Sequence, residues 1–124
     1  MIILTNREYP LILDKGIEKY LEDILRSIGN IELFMESLPT QYQTFCEDLW
    51  FRSAVQWEIA VIGEAMSKAL KLEPELHITA ARKIVDTRNY LIHGYDSLRL
   101  DIIWSIVINH LPKLKEEVLL LLQA

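Results

Sequence analysis

From Ile17 onward the apolar residues Ile17, Leu21, Ile24, Ile28, Ile31 and Met35 recur at steps of four and three, which keeps them on one face of a helix at about 100° per residue. That spacing predicts a first helix from about Asp14 to Ser37. Asp14 is a suitable N-cap, and Pro39 stands just beyond the expected end. Residues 1–13 hold Pro10 and no helical period, so they read as an extension ahead of the helical domain. A second stripe, Val55, Ile59, Ile62, Met66 and Leu70, runs through a segment bounded by Asp48 and Pro74, with a turn of helix expected before it within Thr40 to Cys46. Ala54, Trp57, Val61 and Ala65 widen its predicted buried arc.

A third helix is expected after Thr79 as its cap, with a weaker apolar face of Ile84, Tyr90 and Leu91, and Gly94 is suited to end it in a left-handed conformation. Beyond Asp96-Ser97, the residues Ile102, Ile103, Trp104, Ile106, Val107, Ile108 and Leu111 nearly cover the circumference of a helix, which predicts a central or interfacial position. Pro112 should kink or divide that segment before Leu114, Val118, Leu121 and Leu122 resume a helical face. The fold class that follows is all-α, an antiparallel bundle of four to five helices with short connections, in one domain over residues 1–124. The surplus of apolar surface on the second and fourth long helices favours a homodimer, with a crowded monomer core as the alternative.

Composition narrows the function. A chain of 124 residues can remove roughly two-thirds of its unfolded surface from water, so it needs neither metal nor disulfide to fold. Its single Cys46 cannot form an internal bridge, and His77, His93 and His110 lack the spacing of a zinc site, so no cofactor is expected. A reducing cytoplasm fits best. The start, Met1-Ile2-Ile3-Leu4, runs at once into polar residues and lacks the form of a secretory signal, and no apolar run approaches the length of a membrane span. The net charge of −5 excludes broad coating of nucleic acid, so any such contact must be local, supplied by Arg52, Arg82, Lys83, Arg88 and Arg99 if they gather on one side.

The candidate chemistry is concentrated in Arg88-Asn89-Tyr90-Leu91-Ile92-His93-Gly94-Tyr95. Arg88 and His93 sit about 140° apart on a straight helix, whereas Asn89 and His93 share a face one turn apart. An imidazole that titrates near neutrality can take the proton of a ribose 2′-hydroxyl, while a guanidinium holds the adjacent phosphate and stabilises its growing charge. Such a set cleaves RNA without a metal and leaves a 2′,3′-cyclic phosphate, and DNA is inert for want of the hydroxyl. Asn89 would orient the phosphate or the imidazole, and the second His93 of a dimer could protonate the leaving 5′-oxygen. A purely structural reading of the same residues pairs Arg88 with Glu64 or Asp86, turns His93 to the carbonyls ending its helix, and packs Tyr95 with its hydroxyl at the surface.

These eight residues resemble the Arg-x4-His-x-Tyr motif of HepT-type toxins, a branch of the HEPN superfamily of small helical ribonucleases. The likeness extends to Arg52–Leu70 with Ile62-Gly63-Glu64-Ala65 at its centre, to Asp101-Ile102-Ile103-Trp104 through Leu111-Pro112, and to Tyr20-Leu21-Glu22-Asp23-Ile24-Leu25, roughly residues 15 to 122. The resemblance implies an HEPN-like bundle, a metal-independent endoribonuclease toxin of a type VII-like toxin–antitoxin pair, and Arg88, Asn89 and His93 as its catalytic residues. It further implies that Tyr95 is the site at which a partner, an MNT-type nucleotidyltransferase antitoxin, adds AMP and silences the nuclease. An adenylylated phenol two residues from the imidazole would place bulk and negative charge where RNA phosphate must bind. Glu64 also matches a family position, where a buried structural role is expected. The first dozen residues and the short Pro74–Thr79 connection depart from the family, which leaves the entrance to the site, and so the RNA target, open. The alternative function is a non-catalytic module that docks a nucleotidyltransferase and positions nucleotides or substrate for it.

Overall fold

In the computed structural model, which describes residues 14–37, 41–93 and 99–123, every regular element among those residues is helical. Helix α1 spans Lys15–Ser37 and begins where the Asp14 carboxylate accepts the Gly16 amide at 2.6 Å, the cap that the sequence implies. Its stripe Ile17, Leu21, Ile24, Ile28 and Ile31 is buried, and Met35 packs at the edge of the same core. Helix α2, Tyr42–Glu47, is the expected short turn. Asp48 separates it from helix α3, Leu49–Leu72, and caps α3 by accepting the Phe51 amide at 3.0 Å. Pro10, Pro39, Gly94 and Tyr95 lie outside the described residues.

Helices α1 and α3 run antiparallel. The side chain of Asn30 donates to Glu58 at 3.1 Å, Lys68 Nζ stands 5.9 Å from the centre of the Tyr20 ring, and Gly16 lies beside Leu72, so the residue levels ascend on one helix as they descend on the other. The buried face of α3 is Val55, Ile59, Ile62, Ala65, Met66 and Ala69. Trp57 is not part of it. It is 69% exposed, because two residues beyond Val55 it has turned about 200° away from the core stripe. The sequence pattern placed it too far inward.

Helix α4 spans Ala81–His93 and buries Ala81, Ile84, Val85 and Thr87. Thr79 does not cap it. The Thr79 hydroxyl donates to Glu117 at 2.6 Å, and the Thr79 amide donates to the two oxygens of the same carboxylate at 3.1 and 3.2 Å. The Thr79 side chain is thus directed to the last helix instead of to the free amides at the start of α4, and α4 starts two residues later.

The C-terminal segment is divided, as Pro112 predicts. Helix α5, Leu100–Ser105, passes into a π-helical turn, Ile106–His110, and then into helix α6, Leu111–Gln123. The Leu111 amide reaches five residues back to the Ile106 carbonyl. Widening the helix there makes room for a proline ring that would otherwise strike the preceding turn and that has no N–H to give. A central or interfacial position is expected of this segment, and the chain by itself does not enclose it: Ile103, Ile106, Val107 and Leu111 are buried, and Ile102 and Ile108 are 39% and 41% exposed. Trp104 is half-buried, its ring 5.1 Å from that of Phe45 on α2. The segment is one wall of the bundle rather than its axis. Lys115 of α6 bridges to Glu32 of α1 at 3.0 Å, and no helix among the described residues is long and apolar enough to cross a membrane.

Candidate active site

Helix α4 carries Arg88, Asn89 and His93, and its placement against α3 decides what they can do. Gly63 makes the approach possible. A Cβ on Gly63 would stand 2.2 Å from the Arg88 Cβ and 3.1 Å from the Ile84 carbonyl oxygen, so only a residue without a side chain lets the two helices meet at this level. The Arg88 stem lies against this bare backbone, and its Nε is buried with no hydrogen-bond partner.

The far end of the guanidinium is held twice. Nη2 stands 2.9 Å from Glu64 Oε1, and Nη1 donates to Asn89 Oδ1 at 2.9 Å. Of the two pairings that a structural reading offers Arg88, Glu64 is therefore the one formed. Glu64 itself is not buried: its side chain is 44% exposed, against 27% for Arg88, and it also faces Lys68 at 3.6 Å. The carboxylate is partly open to solvent, where the sequence reading had expected it inside.

Asn89 and His93 are both exposed, and His93 is the last residue of α4. A straight helix separates Arg88 from His93 by about 140°. The contact with Asn89 narrows that gap, since it draws the guanidinium toward the residue that lies one turn before His93. Tyr95 is not among the described residues, so its relation to His93 remains an expectation of the sequence.

Two residues framing the site were not singled out by chemistry. Tyr90, assigned by pattern to an apolar face, is half-buried, and its hydroxyl accepts the Arg99 amide, which ties the end of α4 to the start of α5. Arg99 in turn holds Asp101 with two hydrogen bonds, at 3.0 and 2.7 Å, and this guanidinium keeps the Asp101 carboxyl below the usual carboxylate range. Gly63 had a weak signal, a lone glycine inside an otherwise continuous apolar helix stripe. The cations differ in what holds them: Arg52 donates to the Cys46 carbonyl and Arg99 to Asp101, while Arg82 and Lys83 are exposed on α4. Among the described residues no three His, Cys, Asp or Glu side chains gather as ligands for a metal ion.

The family described as Ribonuclease HepT-like matches residues 17–121, which include both helices of this site. The chain belongs to that family. Among its relatives is a protein of Thermococcus cleftensis named "Probable ribonuclease HepT", 33% identical over 101 residues that cover 77% of this chain and 86% of that one. A Methanocaldococcus jannaschii protein whose name includes RNase is 29% identical over 106 residues, 84% of this chain and 94% of the relative. A further protein of that organism, named for a gamma-glutamylcyclotransferase as well as an RNase, is 28% identical over 110 residues, and the match spans 49% of its length. No solved structure matches this HepT-like chain.

Proposed function

We propose that this HepT-like chain is a metal-independent endoribonuclease, the toxin of a toxin–antitoxin pair in the cytoplasm, with Arg88, Asn89 and His93 as its catalytic residues. The observation that carries the reading is the Arg88 guanidinium, held by Glu64 and Asn89 on the helix that ends in an exposed His93. His93 takes the proton of a ribose 2′-hydroxyl, and the oxygen attacks the adjacent phosphorus. The bond from phosphorus to the 5′-oxygen breaks as the 2′,3′-cyclic phosphate closes. Arg88 neutralises the charge that builds on the phosphate oxygens, and Asn89 orients the phosphate beside it.

The leaving 5′-oxygen needs a proton, and a second chain supplies it from its own protonated His93. A surface suited to that second copy lies on the outside of α3. Trp50 and Trp57 are 87% and 69% exposed, and with Glu64 they recur at seven-residue intervals, so one helix face runs from two bare indoles to the partner of Arg88. Burying that face between two copies would bring two sites toward one cleft. Tyr95, two residues beyond His93, is the group through which an MNT-type nucleotidyltransferase antitoxin turns the enzyme off by adding AMP. RNA is the substrate and DNA is not cut.

The decisive experiment incubates purified protein with RNA in EDTA. Cleavage with 2′,3′-cyclic phosphate ends, lost in His93→Ala, is the expected result, and a requirement for a divalent ion or survival of cleavage in His93→Ala would overturn the mechanism. Co-expression with a neighbouring nucleotidyltransferase, followed by intact mass measurement, should add AMP-sized increments that map to Tyr95.

A further inference from the structure

Glu64 takes no part in the proton transfers described above, yet it fixes the group on which they depend. Its Oε1 stands 2.9 Å from Arg88 Nη2, and Lys68 approaches the same carboxylate at 3.6 Å. Each Nη of an arginine carries two N–H groups. Glu64 engages Nη2 and Asn89 engages Nη1, which leaves one N–H on each nitrogen for the oxygens of a phosphate. With its stem against Gly63 and both Nη atoms held, the guanidinium has its direction set before RNA arrives.

Folding stability does not account for the carboxylate. An ion pair whose members are 27% and 44% exposed stands largely in water and adds little to stability. Its negative charge also repels the phosphate that Arg88 is to bind. A residue that aims the cation while opposing the anion acts in opposite directions on binding and on the chemical step.

We propose that Glu64 is a positioning residue for RNA cleavage, holding Arg88 in the orientation that the reacting phosphate needs at the expense of ground-state affinity for RNA. This rests on the reading of Arg88 and His93 as the cleaving pair. Gly63 is the second part of the same seat, since any side chain there displaces the Arg88 stem.

The test compares wild type, Glu64→Gln and Glu64→Ala for kcat and KM on one RNA oligonucleotide, with His93→Ala as the reference for the underlying reading and thermal melts to confirm folding. Glutamine keeps an oxygen that can accept from Nη2 but removes the charge. Its kcat should stay within about threefold of wild type, since the amide oxygen still accepts from Nη2, though less strongly than a carboxylate does. Alanine removes the hold altogether, and its kcat should fall about 30- to 100-fold, the scale of a misplaced catalytic group. Both variants should lower KM about threefold, because both remove a partly screened negative charge beside the phosphate. If wild type cuts RNA, His93→Ala does not, and Glu64→Ala keeps the wild-type kcat, the role of Glu64 is overturned and the cleaving pair stands. A kcat loss in Glu64→Ala that only tracks its loss of folded protein also overturns it. If wild type does not cut RNA, or His93→Ala cuts as well as wild type, the cleaving pair itself falls and the role of Glu64 falls with it.

Discussion

Arg88 and Gly63 meet so closely that a Cβ on the glycine would lie 2.2 Å from the Cβ of the arginine, on a helix where glycine is otherwise unfavourable. Gly63→Ala should therefore destabilise the fold even though alanine is the better helix former. Overpacking of this kind typically costs about 1–3 kcal/mol. Urea unfolding should show a lowered midpoint, and RNA cleavage should fall further than the loss of folded protein explains, because α4 and Arg88 move outward together.

Arg88→Lys keeps the charge and discards the fork. A lysine ammonium cannot pair with Glu64 and Asn89 in two directions while still presenting two N–H groups to a phosphate. Cleavage should drop about 10²-fold, the usual scale for loss of a donor that stabilises developing charge. Single-turnover kinetics would check it, with thermal stability close to that of wild type.

Trp57 is exposed on the face of α3 proposed to meet a second copy. Trp57→Glu should shift the protein from dimer to monomer in sedimentation velocity and abolish cleavage. Its unfolding free energy in dilute solution should stay within about 0.5 kcal/mol of that of the wild-type monomer, as surface substitutions usually do.

Glu117 takes three hydrogen bonds from Thr79, joining the connection before α4 to α6. Glu117→Ala leaves the Thr79 donors to water and should cost about 1 kcal/mol, less than is usual for bonds to a charged acceptor because the contact is open to solvent. Hydrogen exchange should speed up at Thr79 and through the first turn of α4 while α1 and α3 keep their protection.

The Asp101 carboxyl is held below its ordinary range by hydrogen bonds from the Arg99 guanidinium. A carboxyl whose folded value is depressed stabilises the fold above its unfolded value of about 3.9, and that contribution is lost as pH falls through the lower folded value. The melting-temperature gap between wild type and Asp101→Asn should therefore be present at pH 6 and close below pH 3. The gap should be small at every pH, since the pair is exposed.

Most of the bundle was legible as periodicity. The stripes on α1 and α3, the Asp14 and Asp48 caps, the short helix before α3 and the break at Pro112 all follow from local rules, because each depends on residues within a turn or two of one another. The failures were of another kind. Trp57 was read into a wide buried arc and Ile108 into a central or interfacial segment, yet both are exposed in the single chain, because burial depends on which neighbour faces a residue and periodicity does not name that neighbour. Thr79 looked like a cap because its own neighbours allow it, whereas its partner comes from Glu117, 38 residues away.

The candidate groups, Arg88, Asn89 and His93, were named by the sequence, since their chemistry and their helical spacing are local properties. How they are aimed was not. The hold of Glu64 on Arg88, the contact that turns the guanidinium toward Asn89, and the bare patch at Gly63 that admits α4 all depend on two helices meeting at one level. By itself the sequence determined an all-α chain with a motif at the end of the helix that follows Thr79. Tertiary structure decided which carboxylate answers the arginine, because spacing along a helix sets the face of a residue but not the helix that packs against it.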